Sequence, residues 1–153
     1  MEISIKDFGK LSETVIQEYT LTNRQGVSLS AITYGAAVTS IQTPDKNGLF
    51  QNIVLGYTDL NEYVNYRPYY GATIGRVAGR IDKGAFTLEG THYNLETNDK
   101  TNHSHGGING LDTKIWTVEP VSSEDEAQLI FTYTSPHHEN GYPGNLTVQV
   151  TYT

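Results

Sequence analysis

There is no cysteine anywhere in these 153 residues. That removes disulfides, thiolate nucleophiles and cysteine-based zinc sites together, and it fits a reducing compartment. Basic residues are also scarce. Ten Lys and Arg stand against 17 Asp and Glu, a formal net charge of −7, which argues against nucleic acid or an anionic membrane as partner and leaves room only for a local basic pocket. No apolar run approaches the ~20 residues of a membrane-spanning helix. The N-terminal MEISIKDFGK mixes acids with bases and has no apolar core, so it is not a signal peptide. The triplets starting at Asn102 and Asn145 match glycosylation acceptors, but they matter only in a secretory pathway that nothing signals. These absences lead to an expectation of one soluble, cytoplasmic domain large enough to bury a core.

Helix signals are few. Asp59 is a good N-cap residue ahead of Leu60–Val64, and Pro68 with Gly71 stops anything longer than a turn or two. Alternation dominates instead. Val27, Leu29 and Ala31 oppose Ser28 and Ser30; Ala127, Leu129, Phe131 and Tyr133 oppose Gln128 and Thr132; Leu146, Val148, Val150 and Tyr152 alternate with Thr147, Gln149 and Thr151. Period-two patterns rich in β-formers predict half-buried strands. Phe86-x-Leu88 and Tyr93-x-Leu95, joined through Glu89-Gly90-Thr91-His92, predict a hairpin with a short glycine-containing loop. The chain therefore reads as all-β, an antiparallel β-sandwich or part of one. The strand from Leu146 runs to Thr153 with no turn or cap. That pattern predicts a truncated sandwich with an open edge, which is also a route to homo-oligomers.

Four stretches could carry chemistry. In Asn102-His103-Ser104-His105-Gly106-Gly107, two histidines one residue apart would share one face of a strand. That spacing allows a metal pair, a sugar-binding corner, or a glycine turn with solvated histidines. A metal site of this type wants a carboxylate close behind, and the next acid is Asp112. In Gly75-Arg76-Val77-Ala78-Gly79-Arg80-Ile81, small residues let a backbone approach closely while guanidinium forks meet carboxylates, phosphates or vicinal hydroxyls. No Lys-Ser/Thr follows, so it is not a phosphate loop. One of its two arginines is expected to be a structural ion-pair partner, and spacing does not say which. Tyr63, Tyr66, Tyr69 and Tyr70 crowd the preceding segment, and a tyrosine can stack on a sugar's C–H face while its hydroxyl hydrogen-bonds. Asn140-Gly141-Tyr142-Pro143-Gly144 reads first as a loop with a type II turn at Pro-Gly.

Taken in order, GRVAGRI, the Gly84-x-Phe86-x-Leu88-x-Gly90 hairpin, Tyr93-x-Leu95-x-x-Asn98, the HGG at His105–Gly107, Trp116 and NGYPG resemble the aldose 1-epimerase (galactose mutarotase) family across essentially the whole chain, including Asn52–Gly56 as a strand. Each motif is weak alone, and their shared order makes the likeness specific. The resemblance implies a galactose mutarotase-like supersandwich of which residues 1–153 form the N-terminal portion. It also implies an isomerase interconverting the α and β anomers of free hexoses such as galactose and glucose, with no cofactor and no metal. Arg80, with Gly79 beside it, resembles the family's substrate-binding arginine. His105 resembles its sugar-contacting histidine, an auxiliary to catalysis, while His103 matches no family role. Ser104 departs from the leucine usual before HGG. The family's acid histidine lies in a His-x-Tyr-Phe-Asn type segment and its base glutamate near the C-terminal end. No segment here resembles either, so both are expected beyond Thr153 and this chain alone is expected to be inactive or nearly so. A non-catalytic carbohydrate-binding sandwich, or a glucose 6-phosphate 1-epimerase-like relative in which Arg76 and Arg80 meet phosphate, are the alternatives.

Overall fold

The computed structural model describes residues 1–153. Strands β1 (Glu2–Leu11), β2 (Thr14–Thr22), β3 (Ser28–Ile32), β4 (Ala37–Pro44) and β5 (Phe50–Asn52) form a five-stranded antiparallel sheet in sequential order. The single α-helix, α1 (Leu60–Tyr66), follows. The short strands β6 (Arg80–Ile81) and β9 (His103–Ser104) pair with each other across the hairpin of β7 (Ala85–Leu88) and β8 (Thr91–Asn94). Strands β10 (Thr117–Ser122), β11 (Ala127–Ser135) and β12 (Leu146–Tyr152) make a three-stranded sheet. No helix is long and apolar enough to cross a membrane.

The two larger sheets pack as the alternation predicts. Ala127, Leu129 and Phe131 point inward from β11 and meet Tyr19, Leu21 and Ala31 of the first sheet around Trp116. Phe131 and Leu129 are fully buried, and each such side chain contributes roughly 1.5–3 kcal/mol of transfer free energy. Along β12, Val148, Val150 and Tyr152 pack against this core while Thr147, Gln149 and Thr151 stay exposed.

The first sheet is covered on its other face as well, which alternation alone did not show. Ile16, Ile32 and Ala37 turn away from the sandwich core and meet Leu60 and Tyr63 of α1. Asp59 caps this helix as expected, its carboxylate accepting from the Asn61 amide at 2.7 Å, an arrangement worth about 1 kcal/mol. A β-bulge between Asp7 and Gly9 bends β1 beneath the helix. A Cβ on Gly9 would sit 2.7 Å from Leu60 Cβ, so only glycine lets the helix lie this close.

Three local expectations need correcting. Ser30 is buried rather than solvated, because its face of β3 lies beside the helix and a polar cleft. Asn52–Gly56 does not continue as a strand. The Asn52 side-chain oxygen accepts from the Ile41 and Val54 amides, ends the pairing and leaves Ile53 and Leu55 exposed. The hairpin turn is only two residues, Glu89-Gly90, with φ of 50° and 79°, the left-handed pair that a type I′ turn requires. Thr91 and His92 therefore belong to β8.

Candidate active site at the HGG corner

The two histidines of NHSHGG part company. His103 lies on β9 and is fully buried. Its Nδ1 lies 2.7 Å from the Glu96 carbonyl, and its Nε2 lies 2.8 Å from the Tyr142 hydroxyl. A carbonyl only accepts, so the neutral Nδ1–H tautomer satisfies both contacts, with the Tyr142 O–H donating to Nε2. The Tyr142 phenol is an O–H donor at neutral pH in any case, and burial pushes it further up, to about 12. His103 is thus a core residue that joins the NGYPG segment to the HGG corner, not a solvated bystander. The NGYPG loop is correspondingly more than a connector, since Tyr142 is itself buried; Gly144, at φ 72°, takes the left-handed position of the expected turn.

His105 leaves the strand in a left-handed conformation, φ 51°, so its ring does not share a face with His103. The metal-pair geometry fails for that reason, and no group of three His, Cys, Asp or Glu side chains gathers anywhere. Instead His105 is clasped to Gly79. Its amide donates to the Gly79 carbonyl at 2.9 Å, and the Gly79 amide donates to its Nδ1 at 3.3 Å. With Nδ1 accepting, a neutral ring carries its proton on Nε2, an unengaged outward donor.

The pairing of Arg80 with Ser104 and of Ile81 with His103 brings Arg80 to the same corner. Gly79, Arg80 and His105 are therefore gathered by two-residue strands far apart in sequence. Arg80 projects into solvent, its side chain 60% exposed, with Nε donating to Asp99 at 2.5 Å. The ion pair expected of one GRVAGRI arginine falls to Arg80, while Arg76 is held structurally by neutral acceptors. Its guanidinium donates to the Ser135 hydroxyl and to the carbonyls of Ser135, Pro136 and Pro143, so it is not free to meet a ligand.

Backbone at the corner is held under constraint. A Cβ on Gly106, at φ 87°, would fall 1.6 Å from the Gly75 carbonyl oxygen, so any side chain there drives the two loops apart. Arg67, Tyr69 and His105 are non-glycine residues at positive φ, a conformation that persists only where surroundings over-determine it. The surroundings are visible. The Arg67 guanidinium forms a fork with Asp112 (Nε–Oδ2 2.6 Å, Nη2–Oδ1 2.8 Å) and also donates to the carbonyls of Gly107 and Ile108. Hydrogen bonding to Asp112 raises Arg67 above its ordinary value. Its charge lies 5.1 Å from the centre of the Tyr69 ring, which packs against the His105 ring, also at 5.1 Å. The pairing of Arg67 with Asp112 escaped the sequence reading because 45 residues separate them and no shared motif joins them. Of the clustered tyrosines, Tyr63 is core, Tyr66 is exposed, and only Tyr69 touches the corner.

A family model described as aldose 1-epimerase matches residues 17–153. The chain belongs to that family. A galactose mutarotase of Sus scrofa is 41% identical over 138 residues, covering 90% of this chain and 39% of the pig protein. A maltose epimerase of Levilactobacillus brevis is 35% identical over 154 residues, covering all of this chain and 45% of the relative. The crystal structure of a galactose 1-epimerase from Lactobacillus acidophilus superposes with a TM-score of 0.86 at 29% identity, over 99% of this chain and 44% of that one. The chain thus spans about two fifths of the length of such relatives, and its antiparallel sandwich is that of the mutarotase-like structures.

Proposed function

We propose that the protein is an aldose 1-epimerase acting on free hexoses, and that residues 1–153 supply part of the wall that holds the sugar. The observation that carries this reading is the convergence of Gly79, Arg80 and His105 on one corner in a chain of this family. Anomer exchange needs a base to take the proton from the anomeric hydroxyl and an acid to protonate the ring oxygen. The bond from the anomeric carbon to the ring oxygen breaks, the aldehyde rotates, and closure on the other face reverses the proton transfers. The Arg80 fork and the outward Nε2–H of His105 are donors to hydroxyls, with Asp99 a neighbouring acceptor. They orient the ring rather than move its protons.

A neutral sugar suits this corner better than a sugar phosphate. Arg80 is already paired with Asp99 and Arg76 is occupied by Ser135, Pro136 and Pro143, so the two arginines do not form a phosphate clamp. No segment of these residues resembles the family's acid or base segments, and each such group commonly supplies a factor of ~10²–10⁴. Polarimetry of the 153-residue chain with α-galactose is therefore expected to show equilibration near the uncatalysed rate, while galactose binding weakens at least about tenfold in Arg80→Ala and His105→Ala. Fast equilibration by the chain alone, or unchanged galactose affinity in both variants, refutes the assignment of roles.

A further inference from the structure

The outer face of the first sheet carries a cleft of about 470 Å³ that shares no residue with the HGG corner. At its floor lies Glu18, with a side chain only 7% exposed. Two groups hold it: Thr39 donates to Oε1 at 2.6 Å, and Lys6 reaches Oε2 at 2.6 Å from the exposed rim. Each carboxylate oxygen therefore retains a lone pair, and a buried carboxylate is an unusual element of a sheet face. Around it, inside the charged rim of Lys6 and Asp7, the strands present mostly hydroxyls and carboxamides. Ser30 and Ser40 face each other across β3 and β4, and the Gln42 amide donates to Ser40. Asn52 spends its oxygen on two backbone amides and keeps its NH₂ free. Phe8 and Tyr57 supply two aromatic rings among the lining residues.

We propose that this cleft is a second ligand site, and that it takes a neutral hexose or hexoside. Its volume lies in the range of small-molecule sites, about 300–1,000 Å³. A carboxylate is the natural acceptor for a vicinal pair of sugar hydroxyls. Hydroxyl and amide groups, which donate and accept, suit a ligand whose every substituent does the same. Aromatic rings pack on the C–H face of a pyranose while leaving its hydroxyls bonded. Charge selects against the rival ligands. Lys6 already neutralises Glu18, so an ammonium ligand gains little, and Asp7 at the rim adds a negative charge that disfavours phosphates and carboxylates. No third acidic or histidine ligand is present for a metal ion. The proposal stands on the cleft alone and does not depend on the epimerase reading.

The test is a titration of the full chain, followed through backbone amide NMR shifts, with methyl α-glucoside, maltose and glucose 6-phosphate. Methyl glycosides cannot mutarotate, so binding is read without turnover. The expected result is saturable shifts at Lys6, Thr39 and Ser40, with a dissociation constant on the order of millimolar. They should persist in Arg80→Ala and weaken at least about tenfold in Glu18→Gln, which loses a charged acceptor. Gln42→Ala, which removes a side chain whose hydrogen bond is to Ser40, should weaken binding severalfold and carries the test if Glu18→Gln disturbs the fold. Shifts confined to Gly79, Arg80 and His105 overturn the site while leaving the HGG corner untouched, and no shift at all at about 100 mM of either neutral sugar also overturns it. Tighter binding of the phosphate ester than of the neutral sugars overturns the ligand class.

Discussion

Replacing Arg67 by methionine should unfold the HGG corner's support, since it removes the guanidinium that pairs with Asp112 and lies over Tyr69. The Asp112 side chain is 3% exposed and its two oxygens bond only to Arg67, whose side chain is 23% exposed. Removing the cation leaves a buried carboxylate without a partner and orphans the acceptors at Gly107 and Ile108. Breaking a buried pair from one side costs about 3–5 kcal/mol, and partial exposure of Arg67 lets water reach Asp112 and favours the lower end, about 3 kcal/mol. With a urea m-value of about 2 kcal/mol/M for a domain of this size, the unfolding midpoint should fall by about 1.5 M. Arg67→Lys keeps the charge but not the fork, so it should fall between the two. The double variant Arg67→Met/Asp112→Asn should be more stable than Arg67→Met alone, since the stranded charge is gone. A midpoint loss of under about 0.5 M for Arg67→Met, or additive losses in the double variant, refutes the view that this pair holds the corner.

Gly106→Ala should fold poorly or displace the corner, since its methyl would lie inside the Gly75 carbonyl; a melting temperature within a degree of the parent, with unchanged His105 shifts, would count against that close approach. Glu139 gives a pH signature. Burial raises this carboxyl, but hydrogen bonds from Lys114, Ser135 and Tyr133 outweigh burial and hold it below its ordinary 4.5. The stability it contributes is present above that value and is lost as pH falls through the lower folded value. Glu139→Gln should remove this part of the acid slope in urea midpoints, and an unchanged slope would refute it. At the other end, burial and then the bond to Glu139 push the Tyr133 phenol up to about 12 from 10.0. Its stabilising share is complete below 10.0 and lost toward 12, so Tyr133→Phe should flatten the alkaline decline in the same midpoints.

Much of this protein was legible from residue order. The inward set of Ala127, Leu129 and Phe131 and the Asp59 cap follow from local rules, because strand alternation and capping depend on neighbours within a few residues. The ordered motifs likewise pointed to the aldose 1-epimerase family before any coordinates. What stayed hidden depends on contacts between distant segments. No spacing rule shows that Ser30 and Glu18 turn toward a cleft, because a sheet's second face is polar or covered according to what packs on it. Only the fold separates Arg76, consumed by Ser135, Pro136 and Pro143, from Arg80, which stands open beside Asp99. In NHSHGG the sequence supplied two equivalent-looking imidazoles. The tertiary structure made one a buried tie to Tyr142 and turned the other outward, because the chain leaves its strand in a left-handed conformation at His105, where Gly79 clasps the ring.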